Sequence, residues 1–175
     1  MPKVLHLLTD RIETPTGEML MVADHDGKLR AFDWSDHEPR MRRFLQLHYG
    51  ADGFKLEQDR GLDVLKDLIN SYFAGDLNAL GSVPVQTGGT NFQRKVWRSL
   101  REIPPGTTVS YMELAKRICH PTSVRAVGLA NGSNPVALVV PCHRVIGSNG
   151  SLTGYGGGLE RKRWLLEHER KHSAH

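Results

Sequence analysis

The sequence has little cysteine and no long hydrophobic run. Its 175 residues include two cysteines, Cys119 and Cys142, which are too few for the disulfide framework of a small secreted protein. No segment approaches the roughly 18 consecutive apolar residues that a membrane helix needs, and the apolar run over residues 4–8 is too short for a signal peptide. These absences argue against a disulfide-stabilised scaffold and against a membrane protein. They predict a cytoplasmic protein with free thiols.

Acidic residues are scarce in the second half of the chain. Residues 1–88 carry 10 Lys or Arg and 14 Asp or Glu, a net charge of −4, whereas residues 89–175 carry 13 and 5, a net charge of +8. The turn-forming Thr-Gly-Gly-Thr segment over residues 87–90 lies where the charge changes, so we predict two domains, 1–88 and 89–175. A basic domain suits an acidic partner, most commonly nucleic acid; solubility alone is the alternative explanation.

The first domain has strand patterns followed by helical ones. Residues 4–34 contain extended runs separated by turns, with Asp26-Gly27 as a β-hairpin signal. Apolar residues then recur at helical spacing over residues 38–49 and again over 61–74. Strands followed by helices predict an α/β or α+β domain.

The second domain is mostly helical, and two of its helices have clear start signals. Capping boxes predict helices that begin after residues 90 and 110, an apolar run over residues 136–140 predicts a buried strand or extended segment, and apolar spacing predicts a final helix over 159–168. The two capping boxes pair Thr90 with Gln93 and Ser110 with Glu113.

A third short helix is predicted over residues 123–131, with Thr122 as its N-cap. Together with the helix before it, this gives the arrangement of a helix-turn-helix. Asn149-Gly150 predicts a β-hairpin between residues 144–146 and 151–153, and a hairpin after a helix-turn-helix is typical of a winged-helix domain. The shape and the positive charge together favour DNA binding.

Cys142 is the residue with the clearest chemical potential. It precedes His143 and Arg144, and adjacent cations lower the pKa of a thiol, while Cys beside His is a common arrangement in nucleophilic catalysis. A buried core thiol is the alternative. A zinc site with Cys119 and His120 is disfavoured because paired zinc ligands are usually separated by about two to four residues, so no metal is predicted.

The segment Pro141-Cys142-His143-Arg144-Val145 resembles the active-site signature of the O6-alkylguanine-DNA alkyltransferases, also called methylated-DNA–protein-cysteine methyltransferases. The resemblance is close over residues 90–169, loose over 1–88, and nearest to the bacterial constitutive type. It implies a ribonuclease-H-like α/β domain followed by a winged-helix domain. Further segments follow the family pattern in order: Ser110-Tyr111, Leu114-Ala115, Arg125-Ala126-Val127-Gly128, Asn134-Pro135, Tyr155 with Gly157-Gly158, Trp164-Leu165-Leu166 and His168-Glu169.

The resemblance implies a single-turnover DNA repair reaction without a cofactor. The alkyl group of O6-alkylguanine, with O4-alkylthymine as a further candidate substrate, moves irreversibly to the sulfur of Cys142. By analogy with the family, His143 takes the thiol proton through a water, Glu169 orients the imidazole, and Tyr111 donates a proton to the departing base. Sequence spacing alone does not favour Glu169 over the neighbouring glutamates of the last helix.

The same resemblance implies contacts with the damaged base. Asn134 would hold the turn that presents the active site, and the backbone carbonyls of Cys142 and Val145 would accept hydrogen bonds from the guanine amino group. Tyr155 and Gly156 would line the pocket, where Gly156 replaces the serine of some members and would widen it for bulkier alkyl groups.

The implied partner is double-stranded DNA, bound by a monomer that has no membrane contact. The target nucleotide must leave the base stack to be reached, and in this family the recognition helix enters the minor groove. Thr122, Arg125 and Ala126 would contact the DNA, with Arg125 filling the vacated space. Because residues 1–88 contain no cysteine, the N-terminal zinc of some relatives is not expected.

Three other functions explain parts of the sequence. An alkyltransferase-like protein that binds damaged DNA without repairing it would lack the reactive cysteine, which is present here as Cys142. A winged-helix transcriptional regulator would account for the basic helices but leaves the Pro-Cys-His-Arg segment without a role. A cysteine hydrolase would use Cys142 and His143 but does not require the basic helices.

Overall fold

Two units make up the chain, residues Met1–Gly89 and Thr90–His175. The computed structural model describes residues 3–58 and 61–173, and it has the mixed α/β composition that the sequence predicts. Within those ranges, no helix combines the length and the apolar character needed to cross a membrane.

The first unit is built on a four-stranded sheet. Strands β1 (Leu5–Thr14), β2 (Gly17–Asp24), β3 (Leu29–Trp34) and β4 (Phe54–Gln58) lie in the order β3-β2-β1-β4. The first three form an antiparallel meander, and β4 pairs in parallel with β1. The predicted hairpin turn is present, with Gly27 at φ 82°, a conformation that glycine adopts without steric cost.

The first unit also contains the two helices that the apolar spacing predicts, one before and one after β4. Helix α1 spans Glu38–Tyr49, as predicted, and α2 spans Asp63–Phe73, inside the predicted range of 61–74. Met41 and Leu45 of α1 are buried against apolar side chains of the sheet, which gives the first unit a continuous core.

The second unit contains four further helices and one short pair of strands. Its helices are α3 (Asn91–Leu100), α4 (Tyr111–Arg117), α5 (Val124–Gly132) and α6 (Leu159–His172). Both predicted capping boxes are present, at the starts of α3 and α4. The last helix continues four residues beyond its predicted end, and its final turn is rich in basic side chains, which suit the negative end of the helix dipole.

The prediction that Thr122 caps the third helix was wrong. Helix α5 begins at Val124 and its N-cap is Ser123, whose side chain makes no capping hydrogen bond. Thr122 is instead exposed in the turn between α4 and α5.

The predicted two-stranded wing is also absent. Strand β6 (Val145–Ile146) pairs in parallel with β5 (Val109–Ser110), and residues 151–153 form no strand. A turn is present at Asn149-Gly150, closed by a 2.9 Å hydrogen bond from the Gly147 N–H to the Ser151 carbonyl. After this turn, the Thr153 carbonyl accepts a hydrogen bond from the Lys162 side chain of α6 and not from a neighbouring strand.

Residues 136–140 are buried, but they form a turn instead of a strand. The Val140 N–H donates to the Val136 carbonyl over 3.0 Å, and Leu138 has a φ of 69°, which is uncommon for a residue other than glycine. The apolar run therefore predicted burial correctly and left its backbone shape undetermined.

Candidate active site

Cys142 begins a short 3-10 helix, Cys142–Arg144, directly after the buried turn. Its residue surface is 8% exposed, and its N–H donates to the Val140 carbonyl over 2.8 Å. Cys119, the other cysteine, is exposed after α4. The two thiols thus occupy very different environments.

Asn134 closes the turn that leads to Cys142. Its side-chain amide donates to the Val140 carbonyl over 2.8 Å, and its Oδ1 accepts from the Val136 N–H over 2.9 Å. Asn134 is itself buried, so water competes little for these bonds. Both ends of the turn are therefore fixed, and so is the start of the 3-10 helix.

His143 and Glu169 form a fully buried pair. His143 Nε2 lies 2.7 Å from Glu169 Oε2, and both side chains are 0% exposed. The Nδ1 atom of His143 is also buried and has no hydrogen-bond partner among the described residues. An ionised Glu169 accepts a hydrogen bond from the Nε2–H group, so the lone pair of the neutral imidazole lies on Nδ1.

Burial sets the charge of His143. It lowers the pKa of the imidazole and outweighs the opposing attraction of Glu169, while Arg144 and Lys162 lower the same pKa further. His143 is therefore neutral near neutral pH and can accept a proton at Nδ1.

Arg144 clamps the carboxylate of Glu169. Its Nε and Nη2 donate to Oε1 and Oε2 over 2.8 and 3.0 Å, and its Nη1 donates to the Ile103 carbonyl over 2.7 Å. Burial alone would raise the pKa of Glu169, but His143 and Arg144 together hold it well below its usual range. The carboxylate is ionised, and its charge is balanced by the guanidinium.

Lys162 of α6 is fully buried, with 0% of its surface exposed. Its ammonium donates to the Val145 carbonyl over 2.7 Å and to the Thr153 carbonyl over 2.9 Å. The Tyr111 hydroxyl donates to the same Thr153 carbonyl over 3.5 Å. Lys162 thus links β6, through the Val145 carbonyl, to Thr153, whose carbonyl also accepts the hydrogen bond from Tyr111.

A family model and several known relatives match this chain. The model described as "6-O-methylguanine DNA methyltransferase, DNA binding domain" matches residues 91–171. The methylated-DNA–protein-cysteine methyltransferase of Shigella flexneri is 46% identical over 166 residues, which cover 95% of this chain and 97% of that one. The protein of the same name from Methanosarcina acetivorans is 54% identical over 157 residues, or 90% and 94%.

This chain belongs to the methylated-DNA–protein-cysteine methyltransferase family. Solved structures agree: the O6-methylguanine methyltransferase of Mycobacterium tuberculosis matches with a TM-score of 0.78 at 40% identity, over 98% of this chain and 96% of that one. The structure of the M. tuberculosis protein in complex with DNA matches with a TM-score of 0.76 at 39% identity, over 96% and 94%. The family resemblance of the sequence is therefore confirmed.

In this methyltransferase, α5 presents one exposed side. Arg125, Ala126 and Leu129 of α5 are exposed, and so is Thr122 in the turn before the helix. The opposite side is packed on α3, where Trp97 Nε1 donates to the Ala130 carbonyl over 2.8 Å. The three residues predicted to contact DNA are therefore all exposed, within or just before the start of α5.

Two further residues that the family resemblance singled out, Tyr155 and Gly156, lie on the loop before α6. Tyr155 is half-buried and Gly156 is exposed, and the Gly158 N–H donates to the Tyr155 carbonyl over 2.9 Å. Val145 is fully buried, and its carbonyl is the one that Lys162 binds. Within residues 3–58 and 61–173, no three His, Cys, Asp or Glu side chains are arranged to hold a metal ion.

The sequence analysis missed the two cations of the site. Arg144 stood beside the signature cysteine but was counted only as a nearby charge, and Lys162 was not singled out. A signal was available for Lys162: it lies three residues before Leu165 and seven before Glu169, on the buried side of α6. A charged residue on the buried face of a helix is a candidate for an interaction with a buried partner, because charged side chains are rarely buried without one.

Proposed function

We propose that this protein repairs DNA by moving the alkyl group of O6-alkylguanine onto Sγ of Cys142. A sulfur–carbon bond forms, the bond from that carbon to guanine O6 breaks, and guanine leaves with a proton. The observation that carries the proposal is the buried His143, which follows the signature cysteine in sequence and pairs with Glu169 through Nε2, while its Nδ1 has no hydrogen-bond partner among the described residues. Membership of the methyltransferase family supports the same conclusion.

The residues divide into a proton-transfer group and a pocket group. His143 takes the proton of the Cys142 thiol through a water, and Glu169 orients its imidazole. Tyr111 supplies the proton for the departing base, and its bond to the Thr153 carbonyl fixes the hydroxyl near the loop of the pocket. No cofactor is needed, because the thiolate is the nucleophile and is consumed.

The pocket group recognises the base. The carbonyls of Cys142 and Val145 accept hydrogen bonds from the guanine amino group, while Tyr155 and Gly156 line the pocket. Gly156 leaves more room than a serine would, which favours acceptance of larger alkyl groups. Asn134 acts on this group indirectly, because it holds the turn before Cys142.

The partner is double-stranded DNA bound through α5, by a monomer that acts in the cytoplasm. Thr122, Arg125 and Ala126 contact the minor groove, and Arg125 fills the stack when the damaged nucleotide rotates out. The exposed surface of α5 and the +8 charge of residues 89–175 support this arrangement. A relative from M. tuberculosis has been solved with DNA.

The two units fit the domain types of the family. We assign residues 1–88 to a ribonuclease-H-like domain, supported by the antiparallel meander with a parallel fourth strand. We assign residues 89–175 to a winged-helix domain in which the wing is reduced to β6 and the turn at Asn149-Gly150. The helix pair α4 and α5 supports the second assignment.

The test is the stoichiometry and position of the transferred group. Incubation with excess duplex that carries O6-[³H-methyl]guanine should give one S-methylcysteine per chain, on the peptide with Cys142. The Cys142→Ala variant should bind the duplex and transfer nothing, while the control Cys119→Ser should react normally. Repeated turnover, or label on Cys119, would refute the mechanism.

A further inference from the structure

Lys162 is a buried cation without a carboxylate partner. Both acceptors of its ammonium are backbone carbonyls, those of Val145 and Thr153, and no ion pair between described residues includes it. In the first unit, Lys66 is more exposed than Lys162, and its ammonium still lies 2.8 Å from the Asp10 carboxylate. A buried ammonium is costly unless a negative charge is close, so the charge of Lys162 needs a partner.

The other charges of the site are already balanced. Glu169 is paired with Arg144 through two hydrogen bonds, and the buried His143 is neutral, since burial lowers its pKa. The three groups together carry no net charge. No negative charge of this group is left to neutralise Lys162, and no positive charge is left to neutralise a thiolate.

The thiolate form of Cys142 would supply the negative charge that neutralises Lys162. The Val145 carbonyl that Lys162 binds lies three residues after Cys142, at the end of the same short helix. Burial lowers the pKa of Lys162, and negative charge on Cys142 opposes that shift. The charge of Lys162 also lowers the pKa of His143, so it disfavours an imidazolium and favours a thiolate.

We propose that the ammonium of Lys162 is the counter-charge of the Cys142 thiolate, in place of an imidazolium. The site then holds two ion pairs, Cys142 with Lys162 and Glu169 with Arg144, on either side of a neutral His143. This inference rests on the proposed function, because it concerns the state of the nucleophile in alkyl transfer. In this arrangement His143 passes the thiol proton on and does not keep it, and Lys162 is a positioning residue that stabilises the sulfur.

The first test is a thiolate titration followed by absorbance at 240 nm. A Cys119→Ser background leaves Cys142 as the single thiol, and Lys162→Met is compared with Lys162→Arg and with the exposed control Lys116→Met. We expect Lys162→Met to raise the midpoint by at least about one pH unit, roughly a tenfold loss of thiolate below the midpoint. Lys162→Arg should recover part of the shift and Lys116→Met should show none. An unchanged midpoint in folded Lys162→Met would overturn the proposal.

The second test keeps Lys162 in place, in case its replacement prevents folding. In the Cys119→Ser protein, methyl methanethiosulfonate converts Cys142 to a neutral methyl disulfide: the thiolate attacks the sulfenyl sulfur and methanesulfinate leaves. Linkage requires that loss of the thiolate weakens proton binding by Lys162. With ¹³Cε-labelled lysine, the NMR titration of Lys162 should therefore move to lower pH, while that of Lys116 stays unchanged.

An unchanged Lys162 titration would overturn the proposal. The reagent needs no DNA and no alkyl-transfer activity, so this result is independent of whether the protein repairs O6-alkylguanine. A failure of methyl transfer from DNA would count against the proposed function, but the NMR titration of Lys162 could still be interpreted.

Discussion

Each unit contains an arginine–carboxylate pair with a buried carboxylate, and the two pairs have different surroundings. In the first unit, Arg40 Nη2 and Nε bind Asp33 Oδ1 and Oδ2 over 2.7 and 3.0 Å. In the second, Arg144 binds Glu169 in the same two-point manner. By geometry and burial of the carboxylate, the two are nearly equivalent.

The third partner of each carboxylate distinguishes them. Asp33 Oδ1 also accepts a hydrogen bond from the backbone N–H of Trp34 over 2.8 Å, so this further hydrogen bond stabilises the backbone. Glu169 Oε2 instead binds the imidazole of His143, which has a second, unpartnered nitrogen. A buried ion pair is therefore not by itself a sign of catalysis; the sign is a titratable third partner with an open site beside a nucleophile.

The largest expected effect comes from removing each carboxylate charge in turn. Glu169→Gln should slow alkyl transfer by about 100-fold or more, both from duplex DNA and from free O6-benzylguanine, because proton transfer by a positioned base is lost. Asp33→Asn should leave the transfer rate of the folded protein unchanged. Glu169→Gln should lose about 3–5 kcal/mol of stability, since it leaves the buried Arg144 without its ion pair. Asp33→Asn should lose less, because the Arg40 side chain is 20% exposed and water can solvate it.

Single-turnover rates and urea unfolding of both variants check this prediction. Equal slowing of transfer by Asp33→Asn would show that the two pairs do not differ in function. A Glu169→Gln protein with the wild-type rate would remove Glu169 from the proton-transfer group.

Local signals explain what the sequence could predict. The bounds of α1, the hairpin at Gly27 and the capping boxes at Thr90 and Ser110 all depend on residues a few positions apart. The signature around Cys142 is equally local, and it led directly to the family. Such features depend on neighbouring residues and require no contact between distant segments.

Contacts between distant segments explain what it could not. Val145 pairs with Val109 across 36 positions of sequence, and this ladder replaces the predicted wing. Glu169 could be told from the other glutamates of α6 only once its bonds to His143 and Arg144 were known. The role of Lys162 depends on two carbonyls from another segment.

A second prediction compares exposed arginines of the two units. Arg42 pairs with Glu38 in the acidic first unit, whereas Arg125 lies on the open side of α5 and has no ion pair with any described residue. Because extrusion of a nucleotide costs a few kcal/mol in a duplex and nothing for a free base, Arg125→Ala should slow repair of duplex DNA by about tenfold or more. Reaction with free O6-benzylguanine should be nearly unchanged.

Arg42→Ala, the matched control, should change neither rate. Two rate constants for each variant decide the comparison. Equal losses on duplex and free base for Arg125→Ala would mean that Arg125 supports the fold or the thiolate, and the assignment of α5 as the DNA-contacting helix would lose its main support.

The smallest expected effect is an acid-dependent loss of stability from His143. Burial lowers the pKa of His143 below its ordinary 6.5, so the unfolded chain binds a proton at a higher pH than the folded chain does. The stability contributed by neutral His143 is complete above pH 6.5 and is lost as the pH falls below it, by at most about 1.4 kcal/mol per pH unit. Glu169 adds to the loss only in a more acidic range, because its pKa is also lowered, from an ordinary value of 4.5.

Urea unfolding between pH 6.5 and about pH 5 measures this slope, and His48 of the first unit provides the comparison. The pKa of His48 is also lowered by burial, but the side chain is only half-buried, so His48→Gln should remove less of the slope than His143→Gln. If His48→Gln removes more, the acid sensitivity belongs to the first unit. His143 would then be protonated without strain in the folded protein, and Nδ1 would not be the open acceptor that the transfer mechanism requires.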